Sequence, residues 1–258
     1  MPNALLGYTG FVGATLRGQA QFDVLYNSQN IVDIRGQHFD LVVCAAAPGA
    51  KWKANQQSDA DRANLSSLME HLKTVHLERF VLISTVDVFK MPPAVYEDTP
   101  VEPERVDAYG RNRYELELFA RDTFPRVYVI RLPGLFGRGL RKNFLFDLIH
   151  TGASEWTHAD SIFQFYNMAN LWSDLQIVMQ ATEPARLVHF ATEPVRSGDV
   201  AQHAFDIDYT HHPANPPVSY DLRTRYAHLW GKSGDYIANA NEVFAQIRQF
   251  VQAEKSAP

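Results

Sequence analysis

The chain has 258 residues, of which 46% are apolar and 21% charged, a composition that supports a full core and excludes intrinsic disorder. Lys and Arg number 24 against 29 Asp and Glu, and a net charge of −5 offers no footprint for a nucleic-acid backbone. With one cysteine, Cys44, no charged N-terminal segment leading an apolar stretch, and no apolar run near the roughly 18 residues of a membrane span, the sequence predicts a soluble chain of the reducing cytoplasm without nucleic-acid or membrane partners.

Apolar runs at 4–6, 23–27, 40–46, 79–84 and 127–132 lack strict polar alternation, as strands buried on both faces do. Amphipathic stretches lie between them. Leu65, Leu68, Leu72 and Val75 share one helix face within 59–76, with Asp59 and Asp61 near its positive N-terminal end. A second helix is predicted over 109–121. Beyond Leu132 the texture turns to Pro133, Gly134, Gly137 and Gly139, then helical patches at 143–150 and 171–181, a strand at 186–191 and a last amphipathic helix around 243–251. The alternation predicts an α/β fold of the Rossmann type. Its expected form is a doubly wound parallel sheet over 1–140, followed by a mixed region, 141–258, that returns to the core and forms a small C-terminal substrate lobe.

Directly after the first strand stands Gly7-Tyr8-Thr9-Gly10-Phe11-Val12-Gly13, a G-x-x-G-x-x-G turn opening into a helix. Gly7 would allow the tight turn, Gly10 the approach of a pyrophosphate to the backbone, and Gly13 close packing of helix on sheet. The helix N-terminus, with the amides around Thr9, Phe11 and Val12, adds unpaired donors and partial positive charge for phosphates. About 20 residues on, where such folds place an acidic side chain on the ribose, the second strand ends in Tyr26-Asn27-Ser28. No carboxylate selects NAD there and no arginine selects NADP. Asn27 and Ser28 are the ribose candidates, and either cofactor fits.

Further residues fall in an order that resembles the extended short-chain dehydrogenase/reductase family, which includes nucleotide-sugar epimerases, dehydratases and dTDP-4-dehydrorhamnose reductases. After the glycine turn come Cys44-Ala45-Ala46-Ala47 running on to Lys51, Asn64, Ser84-Thr85-Val86-Asp87-Val88-Phe89, and Tyr109-Gly110-Arg111-Asn112-Arg113. The resemblance implies Thr85 and Tyr109 as catalytic hydroxyls, with position 113 supplying the cation that the family draws from a lysine. Here that residue is arginine. Tyr109 and Arg113 are i and i+4 on one helix face, so a guanidinium is expected to lower the phenol's pKa and to fork onto the nicotinamide-ribose hydroxyls. It stays protonated, so it passes no protons.

The resemblance also implies cofactor contacts from Ala45, Ala46, Ala47, Asn64, Ser84, Pro133 and Leu135, and substrate contacts from Thr85, Val86, Asp87 and Asn143. The chain is short for that family, and a trimmed substrate lobe is expected. A homodimer through the helices at 59–76 and 109–121 would follow the family's habit. Ten histidines include the adjacent His211 and His212 but no H-E-x-x-H or Cys/His cluster, and no metal site is expected. There is no G-x-S-x-G elbow for a serine hydrolase. The reading is an NAD(P)-dependent oxidoreductase or epimerase using hydride transfer on a small molecule, a nucleotide-activated sugar. The alternative is a dinucleotide-binding regulatory protein with impaired catalysis.

Overall fold

The computed structural model describes residues 1–90, 94–182 and 185–256. In chain order the first elements are β1 (Asn3–Leu6), α1 (Phe11–Gln19), β2 (Val24–Tyr26), β3 (His38–Cys44), α2 (Lys51–Gln56), α3 (Ser58–Leu72), β4 (His76–Thr85), α4 (Ala108–Thr123) and β5 (Val127–Leu132). There follow β6 (Gly134–Phe136), α5 (Phe144–Thr151), β7 (Ile162–Phe163), β8 (Phe165–Asn167), α6 (Leu171–Gln180), β9 (Leu187–His189), β10 (Val195–Arg196), α7 (Ser197–Phe205) and α8 (Ala240–Ser256). Among the described residues no helix is long and apolar enough to cross a membrane.

Two compact units emerge, and they interleave along the chain. The first holds Met1–Lys90, Pro100–Arg131 and Leu171–Val188; the second holds 94–99, Leu132–Asn170 and 189–256. A single cut at residue 140 therefore describes the chain less well than the two-way threading. Residues 171–188 go back to the first unit because β9 forms the edge of its sheet, where the Val129 amide donates to the Arg186 carbonyl at 2.9 Å.

The first unit carries a six-stranded sheet in the order β2-β1-β3-β4-β5-β9. β1 pairs in parallel with β2 on one side and β3 on the other, and β3 pairs in parallel with β4. The chain thus leaves β1 in one direction and returns on its opposite flank, which opens a crevice beyond the carboxyl ends of β1 and β3. Leu65, Leu68 and Leu72 of α3, on the face their spacing predicts, pack with Ala4, Leu6, Val42, Phe80, Leu82 and Val129 of the sheet and Leu116 of α4. Each such buried side chain contributes about 1.5–3 kcal/mol relative to exposure. This core fixes the strand ends from which the site is built.

The second unit is built from short pieces. β6 pairs in parallel with β8, and β7 antiparallel with β10. Its core joins Val243, Ile247 and Val251, one stripe of α8, to Val200, Ala201 and Ala204 of α7. Glu97 ties 94–99 to this unit by accepting from the amides of His189 (2.9 Å) and Arg225 (3.0 Å) and from the Thr224 hydroxyl (2.6 Å).

Candidate functional site

The glycine turn occupies the switch point. Gly7 has φ +80°, and a Cβ there would stand 2.4 Å from the Ala45 carbonyl oxygen; one on Gly13 would stand 2.1 Å from the Gly7 oxygen. β1, α1 and the loop after β3 therefore meet backbone to backbone. Gly10 differs, since a Cβ there would find only the Gly7 oxygen at 3.5 Å. It caps α1 without any side-chain hydrogen bond, and Phe11 and Val12 of the first turn line an open space. The cavity in front of them has a volume of about 550 Å³. Thr9, Gly10, Phe11, Val12, Asn27, Ser28, Ala45, Ala46, Ala47 and Asn64 line it together with Gly7, and among the described residues no carboxylate does. Gly13 lies behind this wall as a packing residue.

Sequence reading missed part of the lining: Tyr26, Ile31, Pro48, Gly49, Leu65, Ser67, Leu68 and His71. The α3 members follow from the helix face already inferred, continued toward the sheet's carboxyl edge. Asn27 is less available than expected. Its amide donates to the Tyr8 hydroxyl at 3.2 Å and its oxygen accepts from the Gln29 amide at 2.9 Å, so the side chain shapes the turn after β2.

Thr85 and Tyr109 are brought together. Thr85 ends β4 and caps the following 86–88 turn, accepting from the Asp87 amide at 3.1 Å. Tyr109 stands in the first turn of α4, whose cap Asp107 accepts from the Gly110 amide at 3.2 Å. Gly110 lets that turn press on the strand end, because a Cβ there would lie 1.9 Å from the Asp87 carbonyl oxygen. This places the Thr85 hydroxyl, the Asp87 carboxylate and the Tyr109 phenol in one electrostatic neighbourhood. Burial, foremost, and the Asp87 carboxylate raise the phenol's pKa, while Arg113, the Thr85 hydroxyl and Lys51 pull it down; the balance is upward. The expectation of a lowered value is corrected: desolvation outweighs the cations.

Arg113 explains part of that outcome. Its guanidinium lies 3.9 Å from the Tyr109 ring centroid, on the shared face predicted, but its side chain is only 3% exposed. Nη1 and Nη2 grip Asp61 at 2.5 and 3.0 Å, Nη2 donates to the Pro48 carbonyl at 2.6 Å, and Nη1 to the Tyr109 carbonyl at 3.3 Å. Both Nη groups are engaged while the buried Nε has no partner, so a fork of the two Nη groups onto ribose hydroxyls meets occupied donors. Asp61, read from sequence as a helix-end charge, is the buried counter-ion of this arginine and also accepts from Asn112 at 2.8 Å. Pro48 belongs to the cavity wall, so a continuous run of contacts joins the cavity to Tyr109 through Arg113.

Ser84 points elsewhere. Its hydroxyl donates to Glu117 at 2.5 Å, and Glu117 is clasped by Arg131 at 3.0 and 2.6 Å, all in the core. Val86 is buried in the 86–88 turn, and the half-buried Asp87 binds Lys51. Asn143, Pro133 and Leu135 belong to the second unit. There Asn143 caps α5 by accepting from the Phe146 amide at 3.1 Å and donates to the Leu135 carbonyl at 2.9 Å, a helix-capping duty rather than an open contact. Burial pushes the Cys44 thiol up to about 11, as suits an inert strand residue.

Among the described residues, His158, Asp160 and His212 bring metal-ligand atoms within 4.8 Å of one another. The Arg196 guanidinium already holds Asp160 at 2.9 Å, and His158 Nδ1 accepts from the Asp160 amide at 3.0 Å. The group is closed on itself.

No family model and no curated protein matches the chain. Solved structures do. A dTDP-4-dehydrorhamnose reductase from Clostridium acetobutylicum is 18% identical, with a TM-score of 0.73 over 99% of this chain and all (100%) of that one. MoeE5, in complex with UDP-glucuronic acid and NAD, is 17% identical with a TM-score of 0.74 over 98% of this chain and 100% of its own. A UDP-glucose 4-epimerase from Thermotoga maritima, with UDP-glucose, is 15% identical with a TM-score of 0.72 over 99% of both chains. At these identities the likeness is one of fold: the chain has the Rossmann-type α/β architecture of these proteins.

Proposed function

We propose that this protein is an NAD(P)-dependent oxidoreductase or epimerase of the extended short-chain dehydrogenase/reductase type, acting by hydride transfer on a nucleotide-activated sugar. Support for the cofactor comes from the turn: a Gly10 side open to a ligand, the start of α1 in the cavity wall, and walls without carboxylates among the described residues suit a diphosphate between two nucleosides. With no acidic or arginine side chain at Asn27-Ser28, NAD and NADP both fit. The substrate class is that of the reductase, MoeE5 and the epimerase whose fold the chain shares.

The observation that carries the reading is the contact run from Pro48 of the cavity wall through Arg113 to Tyr109, whose phenol feels the Thr85 hydroxyl. Bound nicotinamide supplies the hydride. Thr85 would hydrogen-bond the reacting oxygen, and Tyr109 would move the proton at that oxygen. A phenol held above its usual range keeps its proton at neutral pH, as a proton donor to the reacting oxygen must. A homodimer through α3 and α4 and a cytoplasmic location belong to this proposal; the lone buried Cys44 asks for no oxidising compartment.

Titration of NADH and NADPH fluorescence, followed by a screen of 4-keto nucleotide sugars for cofactor oxidation, tests it. Tyr109→Phe should retain cofactor binding and lose turnover by about 10²-fold or more. Tight cofactor binding without Tyr109-dependent turnover on any candidate would overturn it in favour of a regulatory binding protein.

A further inference from the structure

Position 113 offers Tyr109 a cation whose charge is already matched by a bidentate carboxylate and whose Nη donors are pinned. A second cation reaches the same neighbourhood from another element. Lys51, the first residue of α2, sets its Nζ 2.7 Å from Asp87 Oδ1 and 3.7 Å from Asp107 Oδ2. Asp87 in turn receives the Thr85 hydroxyl at 3.4 Å, and the hydroxyl, the carboxylate and the ammonium all act on the phenol. We propose that Lys51, acting through Asp87, sets the proton affinity of Tyr109, so that α2 supplies the ammonium that α4 lacks. Lys51 is thus a positioning residue, and its catalytic consequence rests on the oxidoreductase reading above.

The charges facing the phenol fall into two sets. Arg113 of α4 and Asp61 of α3 form a buried pair of fixed composition. Lys51 of α2, Asp87 of the 86–88 turn and Asp107 at the cap of α4 form the second set, where Lys51 is 41% and Asp87 19% exposed on the side chain. A carboxylate beside a phenol opposes phenolate formation, and an ammonium at 2.7 Å cancels most of that opposition. Solvent screens the partly exposed pair, so the effect is moderate, but its sign is fixed. Without the ammonium, Asp87 acts alone and the phenol becomes a weaker acid. Without the Asp87 charge, it becomes a stronger one. Removing both returns most of the balance, because the Arg113–Asp61 pair is untouched.

The test needs no substrate. Tyrosine labelled with ¹³C at Cζ reports ionisation of each phenol, and Tyr109→Phe identifies the resonance. At a fixed alkaline pH where circular dichroism shows the fold intact, Lys51→Met should lower the ionised fraction of Tyr109 by about threefold. Asp87→Asn should raise it by a similar factor, the double variant should lie near the native protein, and Lys51→Arg should hold the native value. An unchanged Tyr109 signal in Lys51→Met, or a shift of the same sign in Lys51→Met and Asp87→Asn, overturns the proposal. If the shifts occur yet Tyr109→Phe turns over at the native rate, the oxidoreductase reading falls while the assignment of Lys51 stands. If turnover depends on Tyr109 but Lys51→Met leaves its ionisation unmoved, the reverse holds.

Discussion

The cavity at the switch point and the cluster around Tyr109 lie in one unit yet are made of different materials. Backbone and small side chains form the cavity, with close approaches at Gly7 and Gly13 and, among the described residues, no carboxylate in the wall. The cluster is made of ionised side chains from α2, α3, α4 and the 86–88 turn, paired across 36 to 52 residues of sequence. The first recognises by shape and peptide dipoles, the second by balanced charge. Damage to each should therefore read out differently.

The largest effect expected is at the buried pair. Asp61→Ala strands the Arg113 guanidinium in the core and should cost about 3–5 kcal/mol in urea unfolding, whereas a cost below 1 kcal/mol would mean that the pair is solvated and the contrast false. Next come two glycines of one turn. Gly13→Ala forces backbone apart and should lose about 1–3 kcal/mol of stability, while Gly10→Ala should leave stability within about 1 kcal/mol and weaken dinucleotide binding at least tenfold. Equal losses of stability at the two positions would erase the distinction between packing and ligand-facing glycines.

The smallest effect concerns Cys44, whose thiol sits at about 11 in the fold against an ordinary value of 9.0. The unfolded chain sheds this proton first as pH rises. It then binds fewer protons than the native state, so this group's contribution to stability falls between those two values. A thiol reagent at pH 8 should react only as the chain unfolds; rapid reaction with the native protein would show a strand edge looser than described.

The same contrast governs what could be read from sequence. Glycine spacing after an apolar strand exposes the cavity, since the constraint is local and one residue type satisfies it. Thr85 and Tyr109 are legible through their place in a motif, and the Leu65, Leu68 and Leu72 face through its period. Arg113 was legible as a neighbour of Tyr109 but not as the partner of Asp61, because helix spacing says which side chains share a face and nothing about what another helix puts opposite. Lys51 is legible as the end of the stretch that begins at Cys44 but not as a partner of Asp87, for the same reason: the link joins the start of a six-residue helix to a turn, and neither leaves a periodic trace. Ser84 and Asn143 looked like ligand contacts because each stands at a strand end or helix start. Their side chains are used inside the fold, as a core hydroxyl and a helix cap.

The clasp of Ser84, Glu117 and Arg131 has a mechanical meaning beyond its contribution to the core. It fastens the last turn of strand before Thr85 to α4, two helical turns below Tyr109, and Arg131 rests 5.0 Å from the centre of the Phe89 ring just past the 86–88 turn. Strand and helix are riveted on either side of the two hydroxyls, so the gap between them has little freedom to drift while the sheet holds. Alignment at this point is inherited from the interior, and it lasts as long as the interior does.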